Sequence, residues 1–155
     1  MRFRLVDKIH ELEPGKRIKA SKTLPASEEL FRDHFPGFPV VPGVLLTEMM
    51  AQAAGKCLDS EGTHPGRAML GKIVSANFNT WVRPDEEAVI HVEITQNRPT
   101  FARAVCFLEV DGKKVSSAEL FMVFAPFEQF SPAFQDEILE AYWKAHPSDR
   151  MQILK

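Results

Sequence analysis

From Val44 to Cys57 the chain reads as a single helix, with Leu45, Leu46, Met49, Met50, Ala51, Ala53 and Ala54 leaving it apolar nearly all round. A surface helix shows one apolar stripe; one that is greasy on every side belongs in an interior. Pro42 sits where a helix tolerates proline, at its opening turn. Whatever else the chain builds must therefore wrap this segment.

The rest supplies strands for the wrapping. Residues 3–12 and 16–24 read as two strands around Glu13-Pro14-Gly15, a turn set by the Pro-Gly pair. Residues 68–83 predict one long strand or a bulged pair, ending at Arg83-Pro84-Asp85. Ile90, Val92 and Ile94 alternate with His91 and Glu93, and Ala102, Ala104, Cys106, Leu108 and Val110 alternate with Arg103 and Glu109. That period of two marks half-buried strands. Asp111-Gly112 signals a tight hairpin into a last strand over 114–124. One buried helix among about six strands is an α+β domain, expected over residues 1–125. Residues 126–155 form an extension, in which Phe134, Ile138, Leu139, Tyr142 and Trp143 share one face of a short amphipathic helix. So much apolar surface has to dock on the body, on a neighbouring subunit or over a binding channel.

Composition narrows the function. The 155 residues carry a net charge of −2 with scattered basic side chains, so no nucleic-acid footprint is present. No apolar stretch is long enough to span a membrane. Met1–Asp7 lacks the apolar core of a signal peptide, which sets the expectation of a cytoplasmic, reduced compartment. Cys57 and Cys106 fit no metal-ligand spacing and read as small core fillers. The 12 Phe residues fit a Phe-rich core or, alternatively, an apolar channel.

Chemistry concentrates in Asp33-His34-Phe35-Pro36-Gly37-Phe38-Pro39-Val40-Val41-Pro42-Gly43-Val44-Leu45-Leu46-Thr47-Glu48. A carboxylate on the interior helix would be costly to bury without a partner. Gln52, four residues after Glu48, can supply one on the same helical face. A buried Glu48 would suit a general acid, whereas at the helix edge it would be an ordinary solvated residue. His34 lies in a loop stiffened by Pro36, Pro39 and Pro42; alone, such a histidine is ordinarily a polar surface residue. Gly43 opens the helix, where free N–H groups favour negative charge and could stabilise the enolate-like oxygen of a thioester. Spacing alone does not bring these groups together.

The stretch resembles the active-site signature of the small bacterial 3-hydroxyacyl-[acyl-carrier-protein] dehydratases of the FabZ type. The His-Phe-Pro loop, the Pro-Val-x-Pro-Gly-Val-Leu helix start and the Glu-x-x-Ala-Gln helix are all present, and fourteen positions separate His34 from Glu48. Leu5-Val6-Asp7 and Phe78-Asn79-Thr80-Trp81-Val82-Arg83-Pro84 extend the likeness over 3–124. The resemblance implies a hot-dog fold, an antiparallel sheet wrapped around one central helix, here with an extra C-terminal helix. It implies His34 and Glu48 as the catalytic pair and the Gly43 N–H as donor to the thioester carbonyl. The Val40 carbonyl would orient the imidazole, and Gln52 would orient Glu48. It further implies an acyl carrier protein as partner, no cofactor or metal, and a homodimer or trimer of dimers in which histidine and glutamate of one site come from different subunits. Three features depart from the family: a missing His-Arg-Tyr-Pro-Phe lead, Asp85 where a glycine is usual, and the C-terminal helix.

Two other readings use the same residues. A hot-dog thioesterase also carries a carboxylate on the central helix but does not need the histidine loop. A non-catalytic acyl-binding subunit would keep the fold and typically lose the pair. Added double-bond isomerase activity usually goes with Asp where this chain has Glu48.

Overall fold

The structure, a computed structural model, describes residues 1–153. Six strands form one antiparallel sheet: β1 (Lys8–Glu13), β2 (Arg17–Thr23), β3 (Gly66–Phe78), β4 (Glu87–Asn97), β5 (Phe101–Val110) and β6 (Lys113–Pro126). Their spatial order is β1-β2-β4-β5-β6-β3, so β1 and β3 are the edges. The helix α1 (Gly43–Glu61) lies across one face and touches β2 through β6, the hot-dog arrangement expected from the sequence. It runs four residues beyond Cys57 and stops at Gly62, whose φ of 73° places it in the left-handed region that favours glycine.

The alternation in β5 decides which face meets the helix. Ala102, Ala104, Cys106 and Leu108 are buried against α1, while Val105 points outward, 46% exposed. Small residues at the centre of the strand let the helix seat closely, and Leu46, Met49, Met50, Ala53 and Leu58 fill the interface. Asp111 and Gly112 both take positive φ, 51° and 77°, the turn that matches the twist of a two-residue hairpin. Cys57 and Cys106 are free and buried, and burial pushes both thiols up to about 12.

Several sequence expectations shift. The first strand begins at Lys8 instead of residue 3, because the Leu5 N–H donates to the Gln52 side chain (2.8 Å) in place of a strand partner. β3 ends at Phe78 instead of residue 83. Its partner β6 runs out near the 111–112 hairpin, and the chain turns inward to bury Val82. A Phe-rich core is not found: of the 12 Phe residues only Phe31 is buried, and the interior is built from Leu, Ile, Val, Met and Ala.

The extension carries two helices, α2 (Glu137–Ala145) and α3 (Pro147–Ile153). The Asp136 side chain accepts from the Ile138 and Leu139 N–H groups and so fixes where α2 starts. Ile138, Tyr142 and Trp143 are buried against the body, and α2 packs along β1. Phe134 is not on that helix. It precedes Asp136, stays 44% exposed, and stacks under the Arg67 guanidinium at 4.0 Å. Among the described residues no helix is long and apolar enough to cross a membrane.

Candidate active site

The His34 loop is held mostly by its own backbone. A short 3-10 turn, Glu29–Arg32, leads into it, and the His34 N–H donates to the Leu30 carbonyl at 3.1 Å. Phe35 and Phe38 exchange backbone hydrogen bonds at 2.9 Å each way, closing a turn around Pro36 and Gly37. The Val40 N–H donates to the His34 carbonyl at 3.1 Å, and the Val41 N–H donates to the Val82 carbonyl at 2.8 Å, tying the loop to the segment after β3.

Within that frame the imidazole Nδ1 lies 3.0 Å from the Val40 carbonyl oxygen. A carbonyl can only accept, so Nδ1 carries the hydrogen, and in the neutral ring Nε2 is left with its lone pair free. The Phe35 ring stacks on the imidazole with centroids 4.1 Å apart. His34 is thus a half-buried imidazole with a fixed tautomer and its Nε2 lone pair free to accept.

Glu48 is held differently. Gln52 Nε2 donates to Glu48 Oε1 at 3.1 Å and to the Phe3 carbonyl at 3.2 Å, while Gln52 Oε1 accepts the Leu5 N–H at 2.8 Å. With both ends of the amide engaged, it cannot flip, and an N–H always faces the carboxyl. Glu48 is half-buried, between the two settings open from sequence, and lies at the rim of a concavity of about 550 Å³ between α1 and β3.

Gly43 is the first residue of α1, where N–H groups have no helical carbonyl behind them. The Phe78 ring covers it so closely that an added Cβ would lie 3.1 Å from Phe78 Cε1. A side chain at this position would fit only if the Phe78 ring gave way by a few tenths of an ångström.

The structure brings His34 together with Val40, and Glu48 together with Gln52. It does not join the two pairs within one chain: among the described residues no hydrogen bond links them, and the surface beside the His34 loop is formed by Phe35, Pro36, Pro39 and Pro84, away from the Glu48 concavity. Two contributions were missed from sequence. One is the brace from Phe3 and Leu5 to Gln52, which no local pattern signals. The other is Asp59, which completes a stripe with Glu48, Gln52, Gly55 and Lys56 at helical spacing and lines the same concavity. Burial pushes the Asp59 carboxyl up to about 6, against the Ala68 N–H it accepts at 2.9 Å and the nearby Arg67 charge.

A FabA-like domain matches residues 1–119, three-quarters of the chain. The chain belongs to the FabA-like family. Its curated relatives include the 3-hydroxyacyl-[acyl-carrier-protein] dehydratases FabZ of Pediococcus pentosaceus, 44% identical over 74% of this chain and 78% of the relative, and of Bacillus subtilis, 40% identical over 76% and 84%. Among solved structures, the dehydratase heterocomplex ApeI:P from Xenorhabdus doucetiae matches with a TM-score of 0.64 at 14% identity, over 79% of this chain and 84% of that one. A hypothetical thioesterase with coenzyme A from Streptococcus pneumoniae matches with a TM-score of 0.61 at 14% identity, over 77% and 89%. The two structures show the shared fold. The FabA-like match ends inside β6, so the extension lies outside it.

Proposed function

We propose that this FabA-like chain dehydrates a (3R)-3-hydroxyacyl thioester, carried on acyl carrier protein, to the trans-2-enoyl thioester in fatty-acid or related lipid synthesis. The FabZ dehydratases to which it is similar support the reaction class. The observation that carries the chemistry is the orientation of the two side chains: a histidine whose Nε2 is free to accept, and a carboxyl pinned by an amide that cannot turn.

His34 Nε2 takes the C2 proton as the C2–H electrons move toward the thioester, and the Gly43 N–H meets the growing charge on the carbonyl oxygen. Glu48, entering protonated, gives its proton to the C3 hydroxyl. The C3–O bond breaks, water leaves and the C2=C3 double bond forms. His34 ends with a proton and Glu48 without one, so solvent exchange resets the pair. No cofactor enters the balance.

The same reading makes the protein at least a homodimer, or a trimer of such dimers, in a cytoplasmic setting. β3 is a 13-residue edge strand paired only with β6, and it exposes Met69, Leu70, Ile73, Val74 and Phe78. A long apolar edge invites a second strand. A second copy there would cover this surface and bring a partner's His34 loop toward Glu48. Residues 126–155 then stand as an appendage to a catalytic unit over 1–125.

The test is turnover of 3-hydroxyacyl thioesters on carrier protein by wild type, His34→Ala and Glu48→Gln. Each variant should fold and lose on the order of 10²–10⁴-fold in kcat, the usual cost of removing a positioned acid or base. Near-wild-type turnover by either would remove that residue from the chemistry.

A further inference from the structure

The Glu48 concavity has a far end, and the extension closes it. Along α1 its lining residues are Glu48, Ala51, Gln52, Gly55, Lys56 and Asp59, a single stripe at helical spacing. The groove therefore runs along the helix, and the eight helical steps from Glu48 to Lys56 cover about 12 Å. Small residues (Ala51 and Gly55, with Ala68 of β3 beside them) leave room for a chain to lie on this stripe, while Met69, Leu70 and Met122 give it apolar walls. At the far end the walls change character. Phe134 to Glu137 of the extension cross the groove, and Lys56 Nζ meets Asp136 Oδ2 at 2.7 Å with both side chains largely buried. The Phe134 ring lies beneath Arg67 at 4.0 Å, and Arg4 bonds to Glu137 at 2.6 Å on the rim. Three separate contacts thus fix the segment over the groove.

We propose that Phe134–Glu137 is a specificity wall, which stops an acyl chain extending from Glu48 and restricts this chain to short and medium acyl groups. This rests on the dehydratase reading above and takes the groove along α1, which starts at Glu48, as the path of the acyl chain. An alkyl terminus that reached Lys56 and Asp136 would have to separate or desolvate a buried ion pair, which is unfavourable. Only by displacing Phe134 would a longer chain gain room. The wall lies beyond residue 119, so it belongs to this chain's own extension and not to the part matched by the family.

The experiment compares kcat/KM for octanoyl-length and hexadecanoyl-length 3-hydroxyacyl thioesters on carrier protein. Wild type should favour the shorter by at least about tenfold, the scale on which a closed pocket discriminates. Phe134→Ala, and separately Lys56→Met with Asp136→Leu, should each move the ratio toward the longer substrate by about tenfold or more. Phe134 is partly exposed and its truncation leaves both the Lys56–Asp136 pair and the Asp136 cap of α2 in place, so this variant should fold. Calorimetric binding of unreactive octanoyl- and hexadecanoyl-pantetheine reads the same preference without turnover. Absent turnover with a binding preference that shifts in the variants would defeat the dehydratase reading and keep the wall. An equal wild-type response to both lengths, or folded variants with the wild-type ratio, would overturn the wall.

Discussion

His34 and Glu48 are held in place by opposite means. The His34 ring takes its orientation from Val40, six residues away, and its loop closes through backbone bonds among residues 30–40. Glu48 takes its orientation from Gln52, and Gln52 in turn from Phe3 and Leu5, 49 and 47 residues distant in sequence. One site half is closed mainly by local bonds, with the Val41 N–H to the Val82 carbonyl as its backbone tie to the body; the other depends on the tertiary fold. A local loop can keep its geometry while the rest of the body loosens, whereas the carboxyl loses its brace as soon as the N-terminal segment detaches.

Gln52→Leu should break the long-range half most severely. It removes the donor to Glu48 and leaves the Leu5 N–H without its acceptor, a loss of about 1–3 kcal/mol in stability. With the carboxyl free to wander, kcat should fall roughly 10–100-fold while KM changes little. Steady-state kinetics with a thermal melt checks both, and Gln52→Glu, which keeps an acceptor for Leu5, should recover more stability than rate. An unchanged kcat in Gln52→Leu would make the brace purely structural.

Gly37→Ala probes the locally closed half. Gly37 has φ +76° and nothing within 4 Å of an added Cβ, so the whole cost is backbone conformation, roughly 1–2 kcal/mol. That strain should fall on the loop, lowering turnover while the body's amide exchange in β4 and β5 stays at the wild-type level. Loss of protection in those strands would show that the loop is not independent.

The smallest effect belongs to Asp59, at the far end of the Glu48 groove. Burial pushes its carboxyl up to about 6 in the fold from an ordinary value of 3.8. Between those values the folded chain binds more protons than the unfolded one, so stability falls as pH rises through that window and the full cost stands above it. Asp59→Asn should therefore melt a few degrees higher than wild type at neutral pH, with the gap closing as pH falls to about 4. A gap independent of pH would place its origin elsewhere.

This contrast also governs what was legible in the sequence. The loop was readable because Pro36, Gly37, Pro39 and Pro42 restrict the backbone residue by residue, and the apolar run after Val44 could only be an interior helix. β5 declared its buried face through Ala102, Ala104, Cys106 and Leu108. The Gln52 brace was not readable, because no local pattern reports that Leu5 will spend its N–H on a helix side chain in place of a strand. Nor was the early end of β3, set by where β6 runs out of residues to pair with. Composition misled in one respect: apart from Phe31 the Phe residues are only partly buried or exposed, and the inner face of β5 beneath α1 takes Ala, Cys and Leu. Phe134 fell on a helical stripe by spacing, but the Asp136 cap starts the helix at Glu137, three residues too late to include it.

The central claim is that the locally closed half from one chain works with the braced half from another. The direct measurement is turnover by a purified heterodimer carrying His34→Ala in one subunit and Glu48→Gln in the other. One of its two sites then holds both substitutions and the other holds neither. The account predicts about half the wild-type turnover per dimer, against the 10²–10⁴-fold losses of the two homodimers. A heterodimer no more active than its parents would contradict it.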